Sequence, residues 1–147
     1  AGTQLYIVGA PASFTADAGT PERGAISIFT EAAFARAGSH AVSRTCFYPV
    51  PKVDSMLLCL TRRPDARAFH PETKKLIREF FTQRRKQIGS LARQLGSKLE
   101  TQNSKLETVL ATWLSHFPSH ALDPRARPED LTLPAWLELD ALLSAPA

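Results

Sequence analysis

Cysteine is scarce in this sequence: Cys46 and Cys59 are the only two in 147 residues. Two thiols beside apolar segments exclude a disulfide-stapled scaffold and read as reduced, partly buried groups of a cytosolic protein. Zinc wants about four ligands, and His40, His70, His116 and His120 are too scattered to complete a set with them; no metal is expected. No apolar run approaches the roughly 18 residues of a membrane span, so no membrane partner is expected. The opening "AGTQLYIVGAPASF" has no basic leader before its short apolar run, which argues against a signal peptide and for a cytoplasmic location. Nor does the sequence begin with methionine, as a processed chain or a piece of a longer one would not. Repeats and low-complexity tracts are absent too.

What is present suits one ordinary folded domain or two small ones: 44% of residues are hydrophobic and 22% charged. The net charge of +4 is unevenly spread. Between Arg62 and Lys105 stand 12 basic and 4 acidic residues, a net of +8, which leaves −4 for the rest. Such a block attracts a polyanion, although on charge alone a merely solvated basic surface fits equally well.

Along the chain, "TQLYIV" (Thr3–Val8) is rich in β-formers and predicts a strand. A Gly/Pro-punctuated loop with a short helical turn follows. Gly24–Arg36 predicts a helix that ends near Gly38, with Ile26, Phe29, Ala33 and Phe34 on one face. Ser39–Thr45 reads as a short strand, and "SMLLCLT" (Ser55–Thr61) as a strand of the fully buried type. Pro64 and Pro71 mark a boundary, giving residues 1–63 and 64–147 as two units. Pro71 opens a predicted helix to about Leu95, with Gly89 and Gly96 as candidate kinks or ends and Ile77, Phe80, Phe81, Ile88, Leu91 and Leu95 on one side. Lys74, Lys75, Arg78, Arg85, Lys86 and Arg93 gather on another side. Arg84 falls inside the apolar stripe, where a charge must pair, snorkel or reach across a domain contact. Two more amphipathic helices are expected. One buries Leu106, Val109, Leu110, Trp113, Leu114 and Phe117; the other begins near Leu133 or Pro134 with Thr132 as a candidate cap and buries Trp136, Leu137, Leu139, Leu142 and Leu143.

The first unit cannot be a whole domain, because three short strands and one helix leave sheet edges unpaired. If its first two strands run parallel, the loop "CFYPVPKVDS" leaves the carboxyl end of the second. In open α/β sheets ligands bind at that edge. Pro49 and Pro51 stiffen the loop and bias Tyr48 and Val50 towards extended conformations. A stiff loop with an aromatic at a ligand edge suits stacking on a nucleobase; packing of Phe47 into the core beneath is the alternative.

"FYPVPKVDSMLLCL" resembles the F-x-P-x-P-K-V-x-S segment of the KsgA-type small-subunit rRNA adenine N6,N6-dimethyltransferases. Three further stretches match the family in order. "GTPERGAISIF" is similar to P-G-x-x-x-Y-G-x-L-S-V, "FFTQRRKQIGSL" to F-S-Q-R-R-K-T-L, and "ARPEDLTLPAWLEL" to R-P-E-x-L-S-x-x-x-F-x-x-L. Departures occur: "VGAPASF" replaces a segment close to Q-K-E-V-A-x-R, Val50 replaces the middle proline of P-P-P, and "QIGSL" replaces "TLRNN". The glycine-rich loop, acidic ribose contact and N-[LI]-P-Y motif that such enzymes use for S-adenosylmethionine and the target amine do not occur.

The resemblance implies an α/β remnant, the last strands of a Rossmann-like S-adenosylmethionine-dependent methyltransferase sheet, followed by a small all-α domain that binds RNA. It implies that Phe47 meets the target adenine and that Pro49, Pro51, Lys52 and Ser55 shape its pocket. The basic stretch Arg84, Arg85 and Lys86 is implied to help grip rRNA. Helical position makes Arg84 a brace and leaves Lys74, Lys75, Arg78, Arg85 and Lys86 as phosphate contacts. The implied cofactor is S-adenosylmethionine, bound by a full-length enzyme, and the implied partner is small-subunit rRNA or the pre-ribosomal small subunit. The chain alone is expected to be inactive. Other readings are a non-catalytic RNA-binding module for ribosome assembly, and the sister group that dimethylates large-subunit rRNA and gives macrolide resistance.

Overall fold

A computed structural model describes residues 4–8, 12–98 and 104–146. Three strands, β1 (Gln4–Val8), β2 (Phe34–Val42) and β3 (Ser55–Arg62), form a sheet in the order β1-β3-β2. Thr3, where the first predicted strand begins, lies outside the described residues. Both outer strands are antiparallel to β3, with Val8 opposite Leu57 and Val42 opposite Ser55. They are therefore parallel to each other with β3 between them, and their carboxyl ends share one edge.

Helix α1 (Ala25–Ala33) sits between β1 and β2. Gly24 N–H donates to Ser27 Oγ (3.0 Å), and the Ser27 hydroxyl donates to the Ser13 carbonyl, which ties the helix start to a 3-10 turn at Ala12–Phe14. The helix stops three residues before the predicted end, and the next strand starts at Phe34 rather than Ser39. "FARA" favours helix by propensity, but pairing with β3 from Phe34↔Arg62 onward wins. A bulge between Arg36 and Gly38 absorbs one residue. The buried side of α1 is also turned from the expected one. Ile28 and Ala32, four residues apart, face the core, while Ile26 is exposed.

β3 is half-buried rather than fully buried. Only Leu58 and Leu60 are enclosed, by Ile7, Phe14 and Phe34 on one face. On the other face Tyr6 opposes Cys59 and is mostly exposed. Cys46, expected to be partly buried, is exposed.

Four helices follow: α2 (Pro71–Thr82), α3 (Ile88–Lys98), α4 (Ser104–Ser115) and α5 (Leu133–Ser144). Pro71 takes the first helical position of α2. Asp140 of α5 closes that end by accepting from His70 N–H (3.0 Å) and from the buried Thr73 hydroxyl (2.5 Å). Thr132 holds the cap position of α5 without a side-chain bond.

The single predicted helix 71–95 is two helices, broken at residues 83–87. Residues 83–87 hold neither proline nor glycine, and Gly89, a candidate kink, stands in the first turn of α3; tertiary bonds accompany the break. Ile88 N–H donates to Ala126 O (2.7 Å) and Gly89 N–H to Pro124 O (2.9 Å), so the start of α3 is capped by a distant loop. A Cβ at Gly89 would stand 3.1 Å from both Pro124 Cβ and Pro124 O, so a side chain there would require the Pro124 segment to give by a few tenths of an ångström.

The core is aromatic. The Trp113 ring lies 5.0 Å from Phe117, 5.5 Å from Trp136 and 5.8 Å from Phe80, and its Nε1 donates to Ala135 O (2.8 Å). Leu139, Leu131 and Leu91 complete the enclosure, and Ile28 and Ala32 of α1 belong to the same cluster.

Glu138 of α5 clasps the end of α4. Its Oε1 meets His116 Nδ1 (2.6 Å) and its Oε2 meets His120 Nε2. Partial burial pushes its carboxyl up, but bonds and charges from His120 and His116 outweigh that and hold it below the usual carboxylate range. A carboxyl depressed in the fold contributes stability that is complete above its unfolded pKa and is lost as pH falls through the folded value. Thermal melts should therefore show a steeper loss from about pH 5 to about pH 3 in the unmodified chain than in Glu138→Gln. Equal slopes would remove the clasp from the account.

Candidate nucleic-acid interface

The loop from Ser43 to Asp54 leaves the carboxyl end of β2 and enters β3, bounded by the Val42↔Ser55 pair. That is the same edge at which β1 ends. The loop is closed on itself. Ser43 Oγ accepts from Thr45 N–H (3.3 Å), and Phe47 N–H donates to Arg44 O (3.3 Å). Arg44 N–H donates to Asp54 Oδ1 (2.8 Å), which pins the loop's first residues to its last. Between these ties stand Pro49 and Pro51; the Tyr48–Pro49 peptide is cis.

Phe47 is half-buried, in neither apolar cluster, and has extended backbone (φ −116°, ψ 149°). Tyr48 is 99% exposed, Val53 71% and Val50 56%. Pro49 and Lys52 are exposed, and Pro51 and Ser55 half-buried. The loop thus presents rings and methyls to solvent beside two cations, Arg44 and Lys52.

The second group lies on α2 and the turn after it. Lys75, Arg78, Arg85 and Lys86 are exposed and Lys74 half-buried. Arg78 stands 5.5 Å over the Phe29 ring of α1, and Lys86 Nζ donates to Gln94 Oε1 (3.3 Å). Arg85 and Lys86 do not extend the face of α2, because the helix ends at Thr82. They project from the turn instead.

The same break corrects the placement of Arg84, which lies on no helical stripe. Its Nη2 donates to the carbonyls of Pro21 and Arg23 (2.9 Å to the latter) and to Glu129 Oε2 (3.1 Å). It joins the approach to α1, the basic turn and the segment before α5.

Sequence reasoning missed Arg23. It is 1% exposed, and its Nη1 donates to Ala16 O and Glu31 Oε2, both at 2.9 Å. Nε and Nη2 find no partner among the described residues. Both acceptors border a cavity of about 170 Å³ that includes Ser27, Phe34, Arg36 and Arg63. Phe34, Arg36 and Arg63 place it near the start of β2, away from the loop edge. Among the described residues no group of three His, Cys, Asp or Glu side chains is suited to a metal ion, and no helix is long and apolar enough to cross a membrane.

Residues 12–113 match the ribosomal RNA adenine dimethylase family. The chain is 40% identical over 126 residues to ribosomal RNA small subunit methyltransferase A of Opitutus terrae, covering 86% of this chain and 42% of that protein. Among solved structures it resembles a dimethyladenosine transferase from Plasmodium falciparum, with TM-score 0.73 and 18% identity over 92% of this chain and 56% of that one. It also resembles the 23S rRNA methyltransferase ErmE, with TM-score 0.56 and 20% identity over 97% and 55%. The two structures speak to the fold alone. The chain spans about two fifths of the Opitutus relative's length.

Proposed function

The chain belongs to the ribosomal RNA adenine dimethylase family, and on that premise we propose that it is the carboxyl-terminal part of an S-adenosylmethionine-dependent adenine N6,N6-dimethyltransferase. Its substrate is small-subunit rRNA, in the cytoplasm, during ribosome assembly. The observation that carries this reading is the "FYPVPKVDS" loop at the carboxyl edge of the sheet, in a member of that family. In this reading β1–β3 are the last strands of the methyltransferase sheet, and residues 64–147 are the RNA-binding unit. Phe47 stacks on the target adenine, Pro49, Pro51, Lys52 and Ser55 shape its pocket, and Arg84 braces the basic turn. Lys74, Lys75, Arg78, Arg85 and Lys86 meet phosphates. Small-subunit rRNA is favoured over large by the name of the Opitutus relative.

The residues present do not fit the methyl donor. The cavity of about 170 Å³ is smaller than pockets for ligands of that size and lies away from the loop edge, and the sequence has no glycine-rich loop to cradle the donor. No step through S-adenosylmethionine is assigned to these residues.

Two measurements test the proposal. The 147-residue chain, incubated with methyl-labelled donor and small-subunit rRNA, should transfer no label; any transfer sinks the reading as a part without the donor site. The same chain should shift that rRNA in a gel. Arg85→Glu with Lys86→Glu should weaken binding about tenfold or more and lower the slope of log affinity against log salt by about 1.5. Unchanged affinity would make the turn an ordinary solvated surface.

A further inference from the structure

The ring most open to solvent has no role in the reading above. Tyr48 follows Phe47 directly, and the backbone at Phe47 is extended (φ −116°, ψ 149°). Successive side chains on extended backbone leave on opposite sides. Phe47 turns partly inward, and Tyr48 leaves outward with 99% of its surface exposed. Leaving a whole phenol in water has no folding rationale, since neither apolar cluster includes it. The ring nevertheless stands on a fixed base: Pro49 follows it, and the Arg44–Asp54 bond closes the loop behind it. Exposed Val50, Val53, Lys52 and Arg44 share that loop. Aromatic and apolar surface interleaved with cations on a stiff support is the chemistry of single-stranded nucleic-acid binding.

We propose that Tyr48 is a second stacking platform, taking the nucleobase next in the strand to the one that meets Phe47. The proposal rests on the function proposed above. The strand crosses the loop, with one base on its inner side at Phe47 and its neighbour on the outer side at Tyr48. Arg44 and Lys52 serve the phosphate between them. Stacking of this kind tolerates any base, because each has a π-face. The Tyr48 contact therefore secures an unpaired strand without reading its sequence.

The test uses the 147-residue chain and a fluorescein-labelled single-stranded RNA of about 12 nucleotides, within the range one such surface covers. Anisotropy gives the affinity, with a duplex of the same sequence in parallel. Tyr48→Ala should weaken single-strand binding about tenfold, in line with the loss of one stacked base, and leave duplex binding unchanged. Tyr48→Phe should stay within about twofold of the unmodified chain. Tyr48→Trp should bind at least as well, and its exposed indole should be quenched on RNA addition against the constant emission of buried Trp113 and Trp136. Single-strand affinity unmoved by Tyr48→Ala overturns the proposal, as does an equal loss in Tyr48→Phe. If Arg85→Glu with Lys86→Glu still weakens binding in that case, the function stands and only this inference falls. If the unmodified chain binds neither RNA, both fall.

Discussion

Replacing Trp113 with alanine is expected to destabilise the protein by about 4 kcal/mol, a large share of the 5–15 kcal/mol typical of a whole domain. The indole is fully buried, and it meets the Phe117 ring in a T-shaped contact at 89° and 5.0 Å. Phe80 and Trp136 stand within 6 Å on other sides. Removing it opens a hole bordered by stiff rings, which cannot collapse into the space as aliphatic side chains can. The bond to Ala135 O is lost as well. A urea titration should show the midpoint falling at constant slope, and thermal melting should drop by about 10–20 °C. A contrast isolates the hydrogen bond. Trp136 is equally buried, but its Nε1 has no partner among the described residues. Trp113→Phe should therefore cost more than Trp136→Phe, by about 1 kcal/mol. Equal costs would show that ring volume alone accounts for Trp113.

Arg84→Ala is expected to cost about 2 kcal/mol. One guanidinium nitrogen serves the Pro21 and Arg23 carbonyls and the Glu129 carboxylate. The Glu129 segment is already tied to the approach to α1, since Gly19 N–H donates to Glu129 O (2.8 Å). Truncation would leave the Glu129 carboxylate, mostly enclosed at 18% exposure, without its cation. Arg84 itself is 41% exposed, so water would reach part of the vacated space, and the figure stays below that for a deeply buried pair. Arg84→Lys should recover less than half of the loss, because an ammonium on a flexible stem lacks the planar guanidinium's fan of donors. Chemical denaturation of the three chains measures this directly. A change below about 0.5 kcal/mol in Arg84→Ala, the level of an ordinary surface substitution, would dismiss the brace.

The elements legible in the sequence were those whose local pattern and tertiary packing agree. Pro71 announces the start of α2, and α4 buries Val109, Leu110 and Trp113 as its spacing predicts, with Leu106 and Leu114 half-buried and Phe117 buried in the 3-10 turn just beyond it. In α5, Trp136 and Leu139 are enclosed as expected, while Leu137, Leu142 and Leu143 are half-buried. The elements misread were those where distant partners decide. "FARAG" joins a strand because β3 lies beside it, and "QRRKQ" leaves the helix although its residues are good helix formers. The carbonyls of Pro124 and Ala126 that cap α3 lie more than thirty residues away in sequence, beyond the reach of a periodicity argument. At the candidate site, the loop was legible because its prolines and flanking strands are local features. The full exposure of Tyr48 was not, since an aromatic in a loop gives no sign of which way it points.

Helix α1 belongs by chain order to the strands and by packing to the helices, with Ile28 and Ala32 in the same core as Trp113 and Trp136. A protease cut in the stretch 64–68 would accordingly yield two polypeptides that elute together under native conditions. The same mutual anchoring fixes the span between the proline-rich loop and the Arg85–Lys86 turn. Under the proposed function, a nucleic acid engaging both would have to offer an unpaired base and a phosphate ridge at that one separation, and the fold would then act as a calliper on the shape of its target.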